Sequence, residues 1–418
     1  MKNHRSTSVL ALTIVASLAV AACGSDSDSD SDTPDDSTAS DATTAPDATS
    51  APDATTPGTT AEGGTAGEAA SLAGVCPDIV SIQTDWMPEA EHGFIYELIG
   101  DGYEIDANKA YVTGPLVDSE GNDLGVDVQI RSGGAPQNFS PVTQLMYQND
   151  DVFLGFVYTD EAIQFSGDFP TVAVMSGFEK NPQIIMWDPE TYPDVEGVAG
   201  LGELDVKVRY FGGAAYMDFL TGTDILSSGQ VDGSYTGDPS LFIADEGAAA
   251  QQGFGSAEPY LYEFELADWM KPVAYEYIND LGWENYAQSI ATKPENITEY
   301  ADCFKALVPV MQQASVDYLA DPAETNAVIL DAVASFGADF GWDYTEGAAD
   351  FGVEAIKNDG LIANGPDGTL GSFDMDRVAA LIELAVPIYT AQGATPKDGV
   401  TPEDIVTNEF IDPAIALP

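Results

Sequence analysis

Short apolar runs and alternating apolar and polar positions recur along the chain, and they predict strands interleaved with helices. Strands are expected at residues 79–82, 126–130, 152–157, 171–175, 183–187, 206–211, 273–278 and 286–292. Apolar residues at helical spacing predict helices near 94–99, 141–147, 160–163, 216–220 and 241–252, and then at 295–319, 322–336, 347–357 and 374–389. Because strands alternate with helices over most of this length, we predict an α/β fold.

The turn between the first strand and the first helix combines acidic, aromatic and titratable side chains. Asp85, Trp86, Glu89 and His92 lie in this turn, and Tyr96 lies on the helix that follows. Such a turn stands at the carboxyl end of its strand, where open α/β sheets bind ligands. We therefore predict that these five residues contact a ligand. The alternatives are core packing for the two aromatic rings, solvation for the acids and backbone capping for the histidine.

A second strand-to-helix loop follows the apolar strand at 152–157. Thr159 and Asp160 stand at its tip, directly before the next helix. Their oxygens are predicted to contact a ligand, and the alternative is that they only cap that helix.

Two segments farther along the chain are also candidates for ligand contact. Gly212 and Gly213 end a strand and precede Tyr216, so their N–H groups are free to face a ligand atom, with a plain tight turn as the alternative. Glu258 and Tyr260 lie in an irregular segment that combines one acid with aromatic residues. We predict that all five residues line the binding site.

The first 74 residues are predicted to lie outside the folded body. Residues 1–22 have a basic start and a short apolar run, which is the pattern of a secretion signal. The small residues before Cys23 resemble a bacterial lipobox, so Cys23 is expected to carry a lipid anchor. Residues 23–74 are mostly Ser, Thr, Asp, Ala, Pro and Gly, a composition that cannot bury enough apolar surface to fold. We therefore expect a disordered spacer on an extracytoplasmic protein attached to the cell membrane.

The charge of the chain argues against a nucleic-acid partner. The formal net charge is −57, from 70 acidic and 13 basic residues. Nucleic acids bind clustered Lys and Arg, so we predict no nucleic-acid partner. The acidity fits either a saline habitat or a surface selected only for solubility.

The few cysteines and histidines argue against a metal site. Beyond Cys23 the chain has only Cys76 and Cys303, and in an exported protein such a pair predicts a disulfide. The two histidines include His4, which belongs to the predicted signal, so we expect no metal. Sequence motifs for a nucleophilic serine, a phosphate loop or a zinc protease are absent, and we predict no enzyme and no cofactor.

The candidate residues together resemble one family of transport proteins. The sequence of the first turn is similar to the first ligand loop of ABC-importer solute-binding proteins, in the group that binds thiamine-pyrimidine precursors, nitrate, sulfonates and taurine. The resemblance covers roughly residues 76–319 and rests on the motifs Asp85-Trp86-x-Pro88-Glu89-x-x-His92-Gly93-x-x-Tyr96, Gly212-Gly213-x-x-Tyr216 and Gly255-Ser256-Ala257-Glu258-Pro259-Tyr260.

The resemblance implies a two-lobed periplasmic-binding-protein fold of type II, with a ligand cleft between the lobes. It implies lobe one at 75–172 and 290–418 and lobe two at 173–289, which close on the ligand by a hinge motion. The expected partners are a small-molecule solute and an ABC permease in the membrane, and the protein itself is expected to be a monomer.

The ligand follows less directly from the sequence. Acids and aromatic rings without Lys or Arg suit a pyrimidine-like or other nitrogen-rich heterocycle. An alkylsulfonate or nitrate held by backbone N–H groups is the first alternative. A cell-surface receptor for adhesion or signalling is the second alternative.

Overall fold

Residues 71–418 are described by a computed structural model of the chain. The predicted signal peptide, the lipid site at Cys23 and most of the predicted spacer lie outside the described residues. Within 71–418 the strands form two separate sheets, one of seven strands and one of five. No helix of this part of the chain is both long enough and apolar enough to span a membrane.

The first sheet is built from the early strands and one late strand. Its order is β2-β3-β4-β1-β5-β12-β6. Its strands are β1 (Ile79–Gln83), β2 (Glu104–Asp106), β3 (Tyr111–Val117), β4 (Asp123–Arg131), β5 (Leu154–Val157), β6 (Val172–Met175) and β12 (Ser289–Thr292). β1 runs parallel to β4 and β5, whereas β12 runs antiparallel to β5 and β6. The chain therefore returns to this sheet after building the second one.

The second sheet holds the strands between β6 and β12. Its order is β11-β7-β10-β8-β9. Its strands are β7 (Gln183–Trp187), β8 (Val208–Arg209), β9 (Val231–Asp232), β10 (Ala250–Phe254) and β11 (Ala274–Tyr277). The sequence-based lobe boundaries at 172/173 and 289/290 stay a prediction, although β6 at the first boundary belongs to the seven-stranded sheet.

Helices flank both sheets and make up most of the C-terminal part. They are α1 (Gly93–Tyr96), α2 (Val142–Gln148), α3 (Thr159–Gln164), α4 (Val198–Glu203), α5 (Ala215–Gly222), α6 (Ser240–Ala244), α7 (Glu258–Tyr260), α8 (Pro294–Glu299), α9 (Ala301–Ala320), α10 (Ala323–Phe336), α11 (Glu346–Asn358) and α12 (Met375–Gln392). Single 3-10 turns lie at Ala90–His92, Ala135–Gln137, Asn279–Leu281, Gly337–Phe340 and Pro402–Asp404, and a π turn lies at Leu261–Glu265.

The interior strand β5 illustrates how the apolar sequence forms a sheet that is covered on both faces. All four of its residues are buried, as expected for a strand with helices on both faces. Phe156 of β5 stacks on Phe94 of α1 at 5.5 Å between ring centroids. Phe153, which directly precedes β5, stacks on Phe304 of α9 at 5.4 Å. These aromatic pairs fix the first helix, and with it the turn after β1, against the core.

Two contacts tie the N-terminal part of the sheet to α9. Cys76 and Cys303 form a disulfide, with 4.8 Å between their Cα atoms. Gly93 begins α1, and a Cβ at that position would lie 2.0 Å from the Tyr318 ring of α9. Only glycine allows this close approach, so the position of α1 depends on it.

The structure shows that one predicted helix is wrong. Residues 241–252, predicted as one helix, form α6 and then the strand β10. Alanine and glutamine favour helices, but β10 is buried between β7 and β8, and this pairing overrides the local preference. The helix predicted at 295–319 is two helices, which meet at Tyr300. The strands β2, β3 and β9 were not predicted.

Candidate functional site

A cavity of about 510 Å³ lies between the two sheets and shares several lining residues with a neighbouring cavity of about 370 Å³. The turn after β1 forms one wall through Asp85 and Trp86. The turn after β8 forms the opposite wall through Phe211 and Gly212. Ligand pockets in proteins have volumes of about 300–1,000 Å³, so this cleft is large enough for a small organic molecule.

The Trp86 side chain is held in place by neighbouring rings and by a close loop. Its ring centroid lies 5.6 Å from that of Phe139 and 6.2 Å, edge to face, from that of Trp342. Gly134 adopts a positive φ of 65°, and a Cβ there would lie 3.2 Å from the Trp86 ring. The glycine thus lets the loop after β4 pack directly against the indole.

Asp85 accepts hydrogen bonds from three different elements. His92 Nε2 lies 3.0 Å from Asp85 Oδ1, and Tyr158 Oη donates to Oδ2 at 3.0 Å. Gln288 Nε2 donates to the same Oδ2 at 3.3 Å. His92 is fully buried, and its Nδ1 has no hydrogen-bond partner among the described residues. His92 therefore positions Asp85 from behind the cavity wall.

Three glutamates continue the acidic wall beyond Asp85. Glu91 accepts from Ser256 Oγ, and also from Gln288 Nε2 at 2.7 Å; burial raises its pKa to about 8. Glu258 Oε2 accepts from the Phe254 N–H at 2.7 Å, and burial raises its pKa to about 7. Burial, followed by repulsion from the neighbouring acids, raises the pKa of Glu89 well above its ordinary value. The lining of the two cavities contains no Lys, Arg or His that would balance these groups.

The wall from the second sheet is mainly aromatic and amide. Gln252 Oε1 accepts from Tyr216 Oη at 2.6 Å and from the Phe211 N–H at 3.1 Å. This leaves the Gln252 amide nitrogen as a donor in the lining. Gly253 next to it has no side chain, and a Cβ there would meet Glu258 Cγ at 3.0 Å. The glycine on β10 lets Glu258 lie across the strand.

Most of the predicted ligand contacts line these two cavities. Lining residues from the prediction are Asp85, Trp86, Glu89, Asp160, Gly212, Gly213, Tyr216 and Glu258. Asp160 is already held by Asn285, Trp283 and Tyr389, at 2.8, 3.3 and 3.2 Å.

Four predicted residues do not form part of the cavity wall. His92 lies behind Asp85, and Tyr96 is 1% exposed within the core. Thr159 is buried, and its Oγ1 accepts from the Tyr286 N–H at 2.9 Å. Tyr260 packs on Phe351 at 5.6 Å between ring centroids. These four side chains therefore lie outside the lining of the two cavities.

Sequence reasoning missed several lining residues. Tyr158 and Phe211 follow the carboxyl ends of β5 and β8, so the strand-end rule applied to every strand would have found them. Gln288 instead precedes β12, which is antiparallel to β5, so that rule does not identify it. Trp342 comes from the segment after α10, and its Nε1 donates to the Pro88 carbonyl at 3.0 Å. No sequence signal placed that segment at the cleft.

The site has no arrangement suited to a metal ion. Within residues 71–418, no group of three or more His, Cys, Asp and Glu side chains is placed to hold one. The acids of the cleft instead point at a shared cavity between aromatic walls.

Comparisons with known proteins identify the fold. No family model matches the chain, and no curated protein matches it. The ligand-binding component of an ABC-type import system from Staphylococcus aureus, solved with zinc bound, is 9% identical, with a TM-score of 0.51 over 81% of this chain and 99% of that chain. This likeness confirms the predicted α/β, two-lobed periplasmic-binding-protein fold of type II.

Two sulfonate-binding proteins are also similar in structure. The alkanesulfonate-binding protein SsuA from Xanthomonas axonopodis pv. citri, bound to MOPS, is 10% identical, with a TM-score of 0.47 over 79% of this chain and 99% of that chain. The periplasmic aliphatic sulphonate-binding protein SsuA from Escherichia coli is 14% identical, with a TM-score of 0.46 over 78% of this chain and 96% of that chain.

Proposed function

We propose that the protein is the extracytoplasmic solute-binding component of an ABC importer. In this role it captures a small solute between its lobes and delivers it to a membrane permease. One observation carries the proposal: the Trp86 turn of the first sheet and the Gly212 turn of the second line the same cavity. A cleft bordered by two sheets suits a protein that closes on its ligand by a hinge motion.

The preferred ligand is a pyrimidine-like or other nitrogen-rich heterocycle. Trp86 and Phe211 offer aromatic faces to a flat ring, and the acidic wall offers acceptors to its amino groups. Sulfonate binding, which the names of two structural neighbours record for those proteins, is the alternative. It is less favoured because the cavity lining contains no Lys or Arg to pair with an anion.

The setting of the protein is part of the same proposal. We propose that Cys23 carries the lipid anchor and that residues 23–74 tether the folded body to the outer face of the membrane. We also propose lobes at 75–172 with 290–418 and at 173–289. Mass spectrometry of the native protein tests the anchor, because the mature N-terminus would be a lipid-modified Cys23.

A ligand screen followed by an uptake assay tests the function. Thermal-shift measurements against thiamine precursors, flavins, sulfonates, nitrate and polyamines should yield at least one stabilising compound. Small-angle scattering should then show a smaller radius of gyration with that compound, and deletion of the gene should abolish its uptake at low concentration. Uptake that is unchanged by the deletion would overturn the importer role and favour a surface receptor.

A further inference from the structure

We propose that the solute is an organic cation whose charged nitrogen carries N–H donors, and that Glu89 and Glu258 receive this nitrogen. The inference rests on the proposed function, because it requires that the cleft binds a small solute. It narrows the ligand from nitrogen-rich heterocycles in general to protonated amines and amidines attached to a flat ring.

The first observation is the unbalanced charge of the cleft. Six carboxylates line the two cavities, and the same lining contains no Lys, Arg or His; the acids are Asp85, Glu89, Glu91, Asp160, Glu161 and Glu258. Every Lys and Arg within residues 71–418 forms an ion pair with an acid outside this lining. The described chain therefore supplies no counter-charge to its own cleft.

The second observation separates the acids that hold the fold from those left for a ligand. Asp85 accepts three hydrogen bonds and Glu91 accepts two. Glu161 Oε1 accepts from both the N–H and the hydroxyl of Thr143, at 3.0 and 2.8 Å. Both oxygens of Asp85 and of Glu91 have donors within the protein, so a ligand is not needed to explain these two acids, whereas Glu161 accepts through Oε1 alone.

Glu89 differs from these acids because it is buried without a partner. Its side chain is 7% exposed, it lines the larger cavity, and none of the described residues donates a hydrogen bond to its carboxylate. Glu258 uses only Oε2, which accepts from the Phe254 N–H, so Oε1 is available. The Glu89 carboxylate faces the cavity, so a ligand N–H can supply the donor that the described residues do not.

The Glu89 carboxylate and Glu258 Oε1 are acceptors without a donor, so the cation that suits them is one that carries N–H groups. A quaternary ammonium ion has no N–H and leaves the Glu89 oxygens without donors. A protonated amine or amidine supplies charge and donors together, and such charge-assisted hydrogen bonds are roughly twice as strong as neutral ones. Trp86 and Phe211, on opposite walls, offer faces for a flat body and for cation–π attraction.

A matched series of four phenyl compounds tests the inference by calorimetry. Benzamidine is a cation with N–H donors, phenyltrimethylammonium is a cation without them, benzamide is neutral and benzenesulfonate is an anion. Benzamidine should bind the wild-type protein at least about tenfold more tightly than the other three. Glu89→Gln and Glu258→Gln should each weaken benzamidine binding by about tenfold, with folding checked by circular dichroism.

Glu97→Gln provides the matched control variant. Glu97 follows the same turn and helix, but it accepts a hydrogen bond from Thr325 and faces away from the cleft. Its substitution should leave benzamidine binding unchanged. Equal weakening by Glu97→Gln and Glu89→Gln would overturn the inference.

The remaining outcomes separate this inference from the proposed function. If benzenesulfonate, or a neutral compound from the wider screen, binds in a Trp86-dependent way while benzamidine does not, the cation inference fails and the importer role stands. If no compound of the screen binds and gene deletion leaves uptake unchanged, the proposed function fails and the inference fails with it.

Discussion

Acids in the cleft and acids on the outer scaffold differ in what neutralises them. Glu179, outside the cleft, pairs with Arg377 at 3.0 Å, and the guanidinium also donates to the Glu179 carbonyl at 2.8 Å and to the Glu284 carbonyl at 2.7 Å. Glu89, inside the cleft, is more deeply buried and has no such partner within the described residues. The chain has only 13 basic residues among 418, and those within residues 71–418 lie on the scaffold outside the cleft.

Because of this difference, substitutions can separate the stability of this protein from its ligand binding. Breaking a scaffold pair removes an interaction that the folded chain already has, so it should lower the free energy of unfolding. Changing a cleft acid removes an acceptor that only a ligand satisfies, so it should change affinity. Substitutions on the scaffold should therefore change the free energy of unfolding, and substitutions in the cleft should change ligand affinity.

The largest expected effect is on the scaffold side. Arg377→Gln leaves Glu179 without its cation and removes a guanidinium that lies 3.8 Å over the Tyr286 ring. Loss of one partner from a largely buried pair costs about 3 kcal/mol. Urea denaturation should show this decrease in the free energy of unfolding, whereas calorimetry should show unchanged ligand affinity. A parallel loss of affinity would contradict the claim that the scaffold ion pairs affect stability and not ligand binding.

Reversing the charge in the cleft should have the next largest effect. Glu89→Lys places an ammonium group at the vacant acceptor and repels a cationic ligand, so benzamidine affinity should fall by about a hundredfold. Glu203→Lys, an exposed position at the end of α4, makes the same change in net charge away from the cleft. Calorimetry should show that this control binds as the wild type does; an equal loss would point to long-range charge instead of contact.

Removal of the indole should have a smaller effect on affinity. Trp86→Ala deletes one aromatic wall but leaves the acids in place, so binding should weaken by about tenfold. Trp86→Phe keeps a ring there and should recover part of the loss. Titration calorimetry measures both, and unchanged affinity in Trp86→Ala would remove this residue from the site.

The pH dependence of stability should show the smallest effect and has a defined sign. Burial raises the pKa of Glu91 to about 8 and the pKa values of Glu161 and Glu258 to about 7. An unfolded glutamate has a pKa of about 4.3, so the folded ligand-free protein binds more protons between these values. The free energy of unfolding should therefore fall as pH rises from about 5 to about 8.

Glu91→Gln provides the control for that pH dependence. The substitution removes the group among these three whose pKa burial raises furthest, and it keeps an amide in contact with Ser256. Thermal denaturation at several pH values should show a shallower decline in stability than in the wild type. An equally steep decline would show that Glu91 does not contribute to the pH dependence.

The sequence predicted the turns of the site better than it predicted their side-chain roles. Asp85 and Trp86 line the cavity because they end a buried parallel strand, and that placement follows from apolar pattern and sheet geometry alone. His92 and Tyr96 were predicted as ligand contacts from the same motif, but helical periodicity turns their side chains toward the core. The local pattern did not distinguish the two faces of so short a helix.

Other features of the site depend on contacts between distant segments. Both Glu91 oxygens accept a hydrogen bond, because Ser256 and Gln288 reach them from segments more than a hundred residues away. Neither of these two donors reaches the Glu89 carboxylate. Trp342 reaches the cleft from a loop whose local sequence resembles ordinary helix-connecting residues. Neither pairing leaves a periodic signal, so a single sequence does not reveal which acid remains free.

A crystal structure of the protein with benzamidine would show directly whether Glu89 and Glu258 receive the charged nitrogen of the ligand. We predict an amidinium nitrogen within hydrogen-bond distance of a Glu89 carboxylate oxygen and of Glu258 Oε1, with the ring between Trp86 and Phe211. A ligand bound outside this cavity, or with its apolar end toward Glu89, would contradict the account.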